Sequence, residues 1–215
     1  MLKIDVHQIK KLTGDFIPKG IDSEIPAGFC FSTSFPLQIF LATKKIDCQL
    51  RRGRAPKLFP DNVIRKVPHF WLQLDSEGTM LDATIRQFNG NAERIYIGKL
   101  KDNEVTKKYT MSHLHIDLWF HFAYKTWKES LLPKGDYEKK NILYTLKLAT
   151  NLNNEIKQMP LGDKFIKHPA CKLFFSPIHN FLVIWNKNKM LLESVTNELP
   201  NNFDDLLSDV SYILK

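Results

Sequence analysis

The chain has 215 residues, 43% of them hydrophobic, and a net charge of +8. Such a chain can bury a substantial core, which excludes wholesale disorder and fits one large domain or a compact core with an annex. The opening Met1-Leu2-Lys3-Ile4-Asp5-Val6-His7 mixes charge among apolar residues and lacks the continuous apolar stretch of a signal peptide. The most apolar segment, Leu173 to Trp185, is too short and interrupted to span a bilayer.

The expectation is therefore a soluble protein with no membrane partner. Three cysteines, Cys30, Cys48 and Cys171, stand at wide spacings without a Cys-x-x-Cys pair. Neither a disulfide framework nor a cysteine zinc site follows from that pattern. Free thiols fit a reducing, cytoplasmic compartment, with export into a host cell by a non-classical route left open.

In chain order, one short element around Val6 to Leu12 precedes irregular chain punctuated by Gly14, Pro18, Gly20, Pro26 and Gly28. Beyond Cys30, the run Ser34 to Lys44 predicts a helix with Leu37, Phe40 and Leu41 on one face, Ser34 as its cap and Pro36 near its start. A strand over Ile46 to Arg51 follows. The stretch Gly53 to Pro68, with Pro56, Pro60 and Pro68, reads as a surface loop. Strands at Pro68 to Leu74 and Thr79 to Arg86 flank the turn-rich Asp75-Ser76-Glu77-Gly78, and a further strand at Arg94 to Lys99 completes a small sheet.

From Ser112 the periodicity becomes helical, with candidate helices at His113 to Ser130, Asp136 to Lys157, Lys189 to Glu198 and Phe203 to Leu214. Turns at Leu132-Pro133-Lys134-Gly135 and Met159-Pro160-Leu161-Gly162 separate them. The layout is α+β, a helix-plus-sheet core over residues 1–110 with a mostly helical extension over 111–215, packed with the core as one domain or apart from it.

A thiol becomes a nucleophile when a base takes its proton and helix amides stabilise the thiolate. Cys30, just ahead of a predicted helix, fits that description, and its backbone N–H is a candidate oxyanion donor. On the strand His69 to Leu74, Phe70, Leu72 and Leu74 point one way, while His69, Trp71 and Gln73 point to the less apolar side. If residues 75 to 78 form the hairpin loop, Leu74 pairs with Thr79 and Trp71 faces Asp82. His69 and Asp82 then share a face as diagonal neighbours about 7–8 Å apart at Cα, close enough for an imidazole–carboxylate bond. A slip of one residue would separate them.

Three stretches carry a resemblance: Gly28-Phe29-Cys30 with Ser34, Leu37 and Leu41; His69-Phe70-Trp71; and Leu81-Asp82-Ala83-Thr84 followed by Gln87-Phe88. In that order they resemble the nucleophile helix, the His-x-Trp strand and the Asp-x-Thr strand of the transglutaminase-like branch of the papain-like superfamily, and are similar to bacterial glutamine-deamidase toxin domains. The resemblance covers roughly residues 25 to 100. It implies a papain-like core, a nucleophile helix on a small antiparallel sheet, with Cys30, His69 and Asp82 as nucleophile, base and orienting carboxylate. It further implies acyl transfer on a carboxamide of a protein, glutamine deamidation or transamidation first and peptidase action next, with no cofactor. A binding module on a disabled scaffold of that kind is the alternative from another class.

Other features have plainer readings. Trp71 is a packing residue beside the site or a wall of the acyl slot, and Gln87 bonds either a loop or the site. Cys48 alternates with core positions, and Cys171 is a rival thiol near His168 without a carboxylate partner. His113, His115 and His121 do not share one helical face, so no metal site is expected. Between Lys44 and Lys66 stand eight Lys or Arg against Asp47 and Asp61. Without a zinc-finger spacing or an RNA-recognition signature, this patch, including Arg51, Arg52 and Arg54, suggests attraction of an acidic protein substrate rather than nucleic acid, or a solvated face. Oligomeric state is not legible.

Overall fold

The computed structural model describes residues 5–18, 29–112, 136–159, 169–187 and 203–215. Among these the architecture is α+β, with five α-helices and a five-stranded antiparallel sheet. Two compact units divide the chain, Met1–Phe120 and His121–Lys215.

In the first unit, α1 (Val6–Phe16) starts at Asp5, whose side chain accepts the Gln8 N–H at 3.0 Å. Ile9, Thr13 and Phe16 are buried along one helical face, and Phe16 stacks on Phe40 at 4.5 Å. The helix continues past Leu12 and through Gly14, because this tertiary face outweighs the weak propensity of glycine.

The second helix, α2 (Phe29–Thr43), corrects the expectation for the Ser34 region: Cys30 is its second residue and Pro36 lies in its interior. A proline there costs about 3 kcal/mol. Burial of Phe29, Phe31, Phe35, Leu37, Ile39, Phe40 and Leu41 offsets that cost, each large apolar side chain contributing roughly 1.5–3 kcal/mol. Ser34, rather than capping the helix, donates its hydroxyl to the Phe70 carbonyl at 3.3 Å, and Phe31 packs edge-on against Phe70 at 5.1 Å. These contacts tie α2 to the sheet.

The sheet runs β4-β3-β2-β1-β5, from β1 (Gln49–Leu58), β2 (Ile64–Gln73), β3 (Thr79–Asp82), β4 (Tyr96–Lys99) and β5 (Thr110–Met111). The first strand starts later than Ile46 and runs past Arg51. The supposed loop Gly53 to Pro68 is instead the outer part of a long β1–β2 hairpin, with Pro56 opposite Lys66 and Pro68 opposite Arg54. Only the turn near Pro60 interrupts it. The β2–β3 register is the expected one: Leu72 pairs with Leu81, Gln73 with Met80, and the Leu74 N–H donates to Thr79 O at 2.7 Å. Gly78, at φ +83°, supplies the left-handed turn residue, and Asp75 accepts the Thr79 N–H at 2.8 Å.

The third strand stops at Asp82, short of Arg86. There the carboxylate takes the Thr84 N–H at 2.9 Å and turns the chain into a short 3₁₀ helix, Ile85–Gln87. Alternation places Leu50, Leu72 and Leu81, all buried, on one face of the sheet. The other face carries Ala55, Trp71 and Met80, packed with Ile85, Tyr96 and Tyr109.

In the second unit, α3 (Asp136–Lys157) and α5 (Phe203–Leu214) occur where periodicity predicted them. Between them α4 (Pro169–Lys187) spans the apolar segment around Leu173, with Pro177 inside it. Leu146, Leu152, Phe174, Phe175, Ile178 and Val210 are fully buried. Asn153 donates to Asp209 at 3.1 Å, and His179 meets Ser211 at 3.0 Å. The expected helices at His113 to Ser130 and Lys189 to Glu198, the turn at 132–135 and residues 160–162 lie outside the described residues. No helix among those described is long and apolar enough to cross a membrane.

Candidate active site

His69 sits in the middle of β2, fully buried, and its Nε2 lies 2.8 Å from Asp82 Oδ2. This contact is a direct product of the β2–β3 register. Both residues face the same side, as the hairpin argument requires. Asp82 is itself saturated with donors: Tyr109 OH reaches the same Oδ2 at 3.0 Å, while the Thr84 N–H and hydroxyl reach Oδ1 at 2.9 and 3.2 Å. A carboxylate held this way is fixed in position and leaves one direction for the imidazole.

With Nε2 committed to Asp82, Nδ1 is the ring nitrogen left for proton chemistry. Cys30, in the first turn of α2, is near enough to the imidazole to add to its hold on a proton. Burial by itself lowers the affinity of His69 for a proton, but the Asp82 carboxylate, its hydrogen bond and the Cys30 sulfur outweigh burial and raise the pKa from 6.5 to about 9. Burial, followed by the Asp82 charge, drives the Tyr109 phenol far above its ordinary value, so it remains a donor.

The surroundings correct one expectation. The His69 side of β2 is not the less apolar one. His69 lies edge-on to Phe88 at 4.6 Å and to Tyr109 at 5.1 Å, with Trp71 at 5.8 Å. Leu72 and Leu74 are buried as expected, whereas Phe70 is half-buried. Trp71, 1% exposed, is a packing residue against the imidazole rather than an open wall.

Gln87 resolves toward the site: its Nε2 lies 3.4 Å from His69 Nδ1, delivered by the 3₁₀ turn after Asp82. Tyr109 was not legible in the sequence. It arrives because β5 pairs with β1, placing Met111 opposite Gly53, the residue that faces His69.

The other candidates separate clearly. Cys48 and Cys171 are buried, and burial pushes both thiols up to about 12, with Asp47 adding to the effect at Cys48. Both thiols are protonated at neutral pH. Arg51 is half-buried and its Nε donates to Gln73 at 2.8 Å; Arg52 is also half-buried, and Arg54 is exposed. His113, His115, His121 and His168 lie outside the described residues. Among the described residues no group of three or more His, Cys, Asp or Glu is arranged to hold a metal ion.

The fold and site together define an α+β chain with a buried histidine–aspartate pair on a β-hairpin and a cysteine on the neighbouring helix. Compared with known proteins, the chain matches no family model, no curated protein and no solved structure.

Proposed function

We propose that the chain is a cysteine-dependent acyl-transfer enzyme on a papain-like, transglutaminase-like core, with Cys30 as nucleophile, His69 as general base and Asp82 as the orienting carboxylate. The observation that carries this reading is the 2.8 Å His69–Asp82 bond with Cys30 beside the same imidazole. The proton of the Cys30–His69 pair rests on His69 Nδ1, the form that the raised proton affinity of the imidazole favours, while Nε2–H donates to Asp82, which orients the ring and stabilises the imidazolium. The thiolate attacks an amide carbonyl carbon. Collapse of the tetrahedral intermediate breaks the C–N bond, His69 returns its proton to the departing amine or ammonia, and a thioester remains. Water then completes deamidation or hydrolysis, and an amine completes transamidation.

The position of Cys30 in the first helical turn supports the role of the α2 amides in stabilising the sulfur charge. Resemblance of the three sequence stretches to the transglutaminase-like branch favours protein glutamine as substrate, with peptide bonds second.

A second reading, a non-catalytic binding module, is favoured by closure of the site: Cys30 is 5% exposed, His69 is fully buried and Gln87 reaches Nδ1. Alkylation by iodoacetamide, with the modified residue found by mass spectrometry, separates the two. Selective labelling of Cys30 that is lost in His69→Ala, together with glutamine-to-glutamate conversion in a protein substrate, supports the enzyme. A folded chain whose Cys30 resists labelling overturns it.

A further inference from the structure

The β1–β2 hairpin extends beyond the sheet that holds the candidate site. The fifth strand pairs only with Gly53 and Arg54, and β3 only with Leu72 and Gln73. The outer pairs, Ala55 with Val67 through Leu58 with Ile64, therefore form a two-stranded arm that no other described strand joins. At its end Leu58, Val63 and Ile64 are 60%, 47% and 68% exposed. Only Val6, Met111 and Tyr212 are comparably exposed large apolar residues among those described. Scattered exposed apolar residues are ordinary, whereas three gathered at one tip mark it as a candidate interaction surface.

The cations share that tip. Leu58 and Ile64 are cross-strand partners on one face, while Lys57 and Arg65 pair on the other, with the Phe59 ring 5.9 and 4.7 Å from their charged groups. Exposed Lys66 neighbours Arg65. The turn is well fixed: Phe59 N–H donates to Val63 O at 3.1 Å, Asp61 accepts the Val63 N–H at 3.2 Å, and Asp61 pairs with Arg65. Asp61 is the one acid against three cations at this end.

We propose that this arm docks on an anionic lipid surface, Leu58, Val63 and Ile64 entering the headgroup layer while Lys57, Arg65 and Lys66 contact lipid phosphates. Shape and chemistry select this occupant. A specific protein complex buries about 800 Å² on each partner, more than a narrow convex tip of two strands presents. Nucleic acid offers the cations phosphates but gives aliphatic side chains at the tip little to pack against. A lipid surface closes around a convex tip, buries its apolar residues and lets flanking Lys and Arg reach upward to phosphate. Each cation near such a surface strengthens binding about fivefold at modest salt. The proposal revises the expectation of no membrane partner and is independent of the cysteine chemistry.

The test uses the full chain in co-sedimentation with vesicles of phosphatidylcholine alone and of equimolar phosphatidylcholine and phosphatidylserine. The chain is expected to bind the anionic vesicles and not the neutral ones. The double variant Leu58→Ser with Ile64→Ser weakens that binding by at least about tenfold, as does Lys57→Gln with Lys66→Gln. Leu58, Ile64 and Lys66 are exposed and Lys57 is half-buried, so unchanged circular dichroism and melting verify folding. Failure of the chain to bind anionic vesicles overturns the proposal. Binding undiminished by the serine variant reduces it to adsorption of a chain of net charge +8 and also overturns it. Retention on immobilised polyglutamate that depends on Leu58 and Ile64, with vesicle binding insensitive to them, assigns the tip to an acidic protein instead.

Discussion

Tyr109 and His69 share one carboxylate oxygen: Tyr109 OH lies 3.0 Å and His69 Nε2 2.8 Å from Asp82 Oδ2. The tyrosine is held by the edge strand β5, so the order of the sheet's far side sets the aim of the candidate base. Tyr109→Phe removes the hydroxyl without opening a cavity. The expected cost is about 1 kcal/mol of stability, read from urea unfolding, together with slower Cys30 alkylation than in the native chain. An unchanged alkylation rate would remove Tyr109 from the positioning of His69.

The proton affinity of His69 makes stability depend on pH. Its pKa is raised from 6.5 to about 9 in the folded chain, so between those values the folded state holds a proton that the unfolded chain has released. Raising pH through this window therefore favours unfolding. The contribution is complete below 6.5 and lost above 9, at most a few kcal/mol. Urea midpoints should fall across that range, and His69→Gln should flatten the fall.

Gly53 faces His69 in the register and allows β5 to approach. A Cβ built there would stand 2.1 Å from the Thr110 carbonyl oxygen and 2.5 Å from Trp71 Cη2. A backbone oxygen cannot swing aside like the end of a flexible side chain. Gly53→Ala is expected to cost about 1–3 kcal/mol or more, and to loosen the Tyr109–Asp82 bond along with β5. Thermal melting and the alkylation rate of Cys30 should decline together.

The His69–Asp82 pairing was legible because Asp75-Ser76-Glu77-Gly78 fixes a four-residue loop, and strand period does the rest. Helices α3 and α5 were legible from long amphipathic periodicity. The arm was not, because Pro56 and Pro68 mimic loop punctuation. Within a ribbon whose outer edges are open, an N–H facing outward has no ladder partner, so proline is tolerated. The start of α2 was obscured in the same way by Pro36, whose penalty is offset by burial that only the tertiary structure reveals. The helix α4 is apolar around much of its circumference and interrupted by Pro177, which hides its period. Tyr109 had no local signal at all, since β5 is two residues long and acts through a partner far away in sequence.

The last prediction concerns the proposed chemistry. Cys30→Ala removes the atom that would carry the acyl group, and His69→Ala removes the group that moves the proton both ways, so each should abolish turnover on a glutamine-containing protein. Asp82→Asn is different. The amide preserves shape but loses the charge that stabilises the imidazolium and the firm control of its tautomer, so a weak residual activity is expected, reduced by on the order of 10⁴-fold as in the serine-protease case. Tyr109 and Thr84, which donate to Asp82 in the native chain, would then face an amide that accepts through only one oxygen. Cys48→Ala and Cys171→Ala should alter stability alone, because both thiols are buried and protonated at neutral pH. Groups acting as one unit are not additive, so Cys30→Ala with His69→Ala should be little worse than either alone. Full activity in a folded Cys30→Ala chain would remove the thiol from the mechanism, and with it the reason for reading His69 and Asp82 as anything more than a buried structural pair.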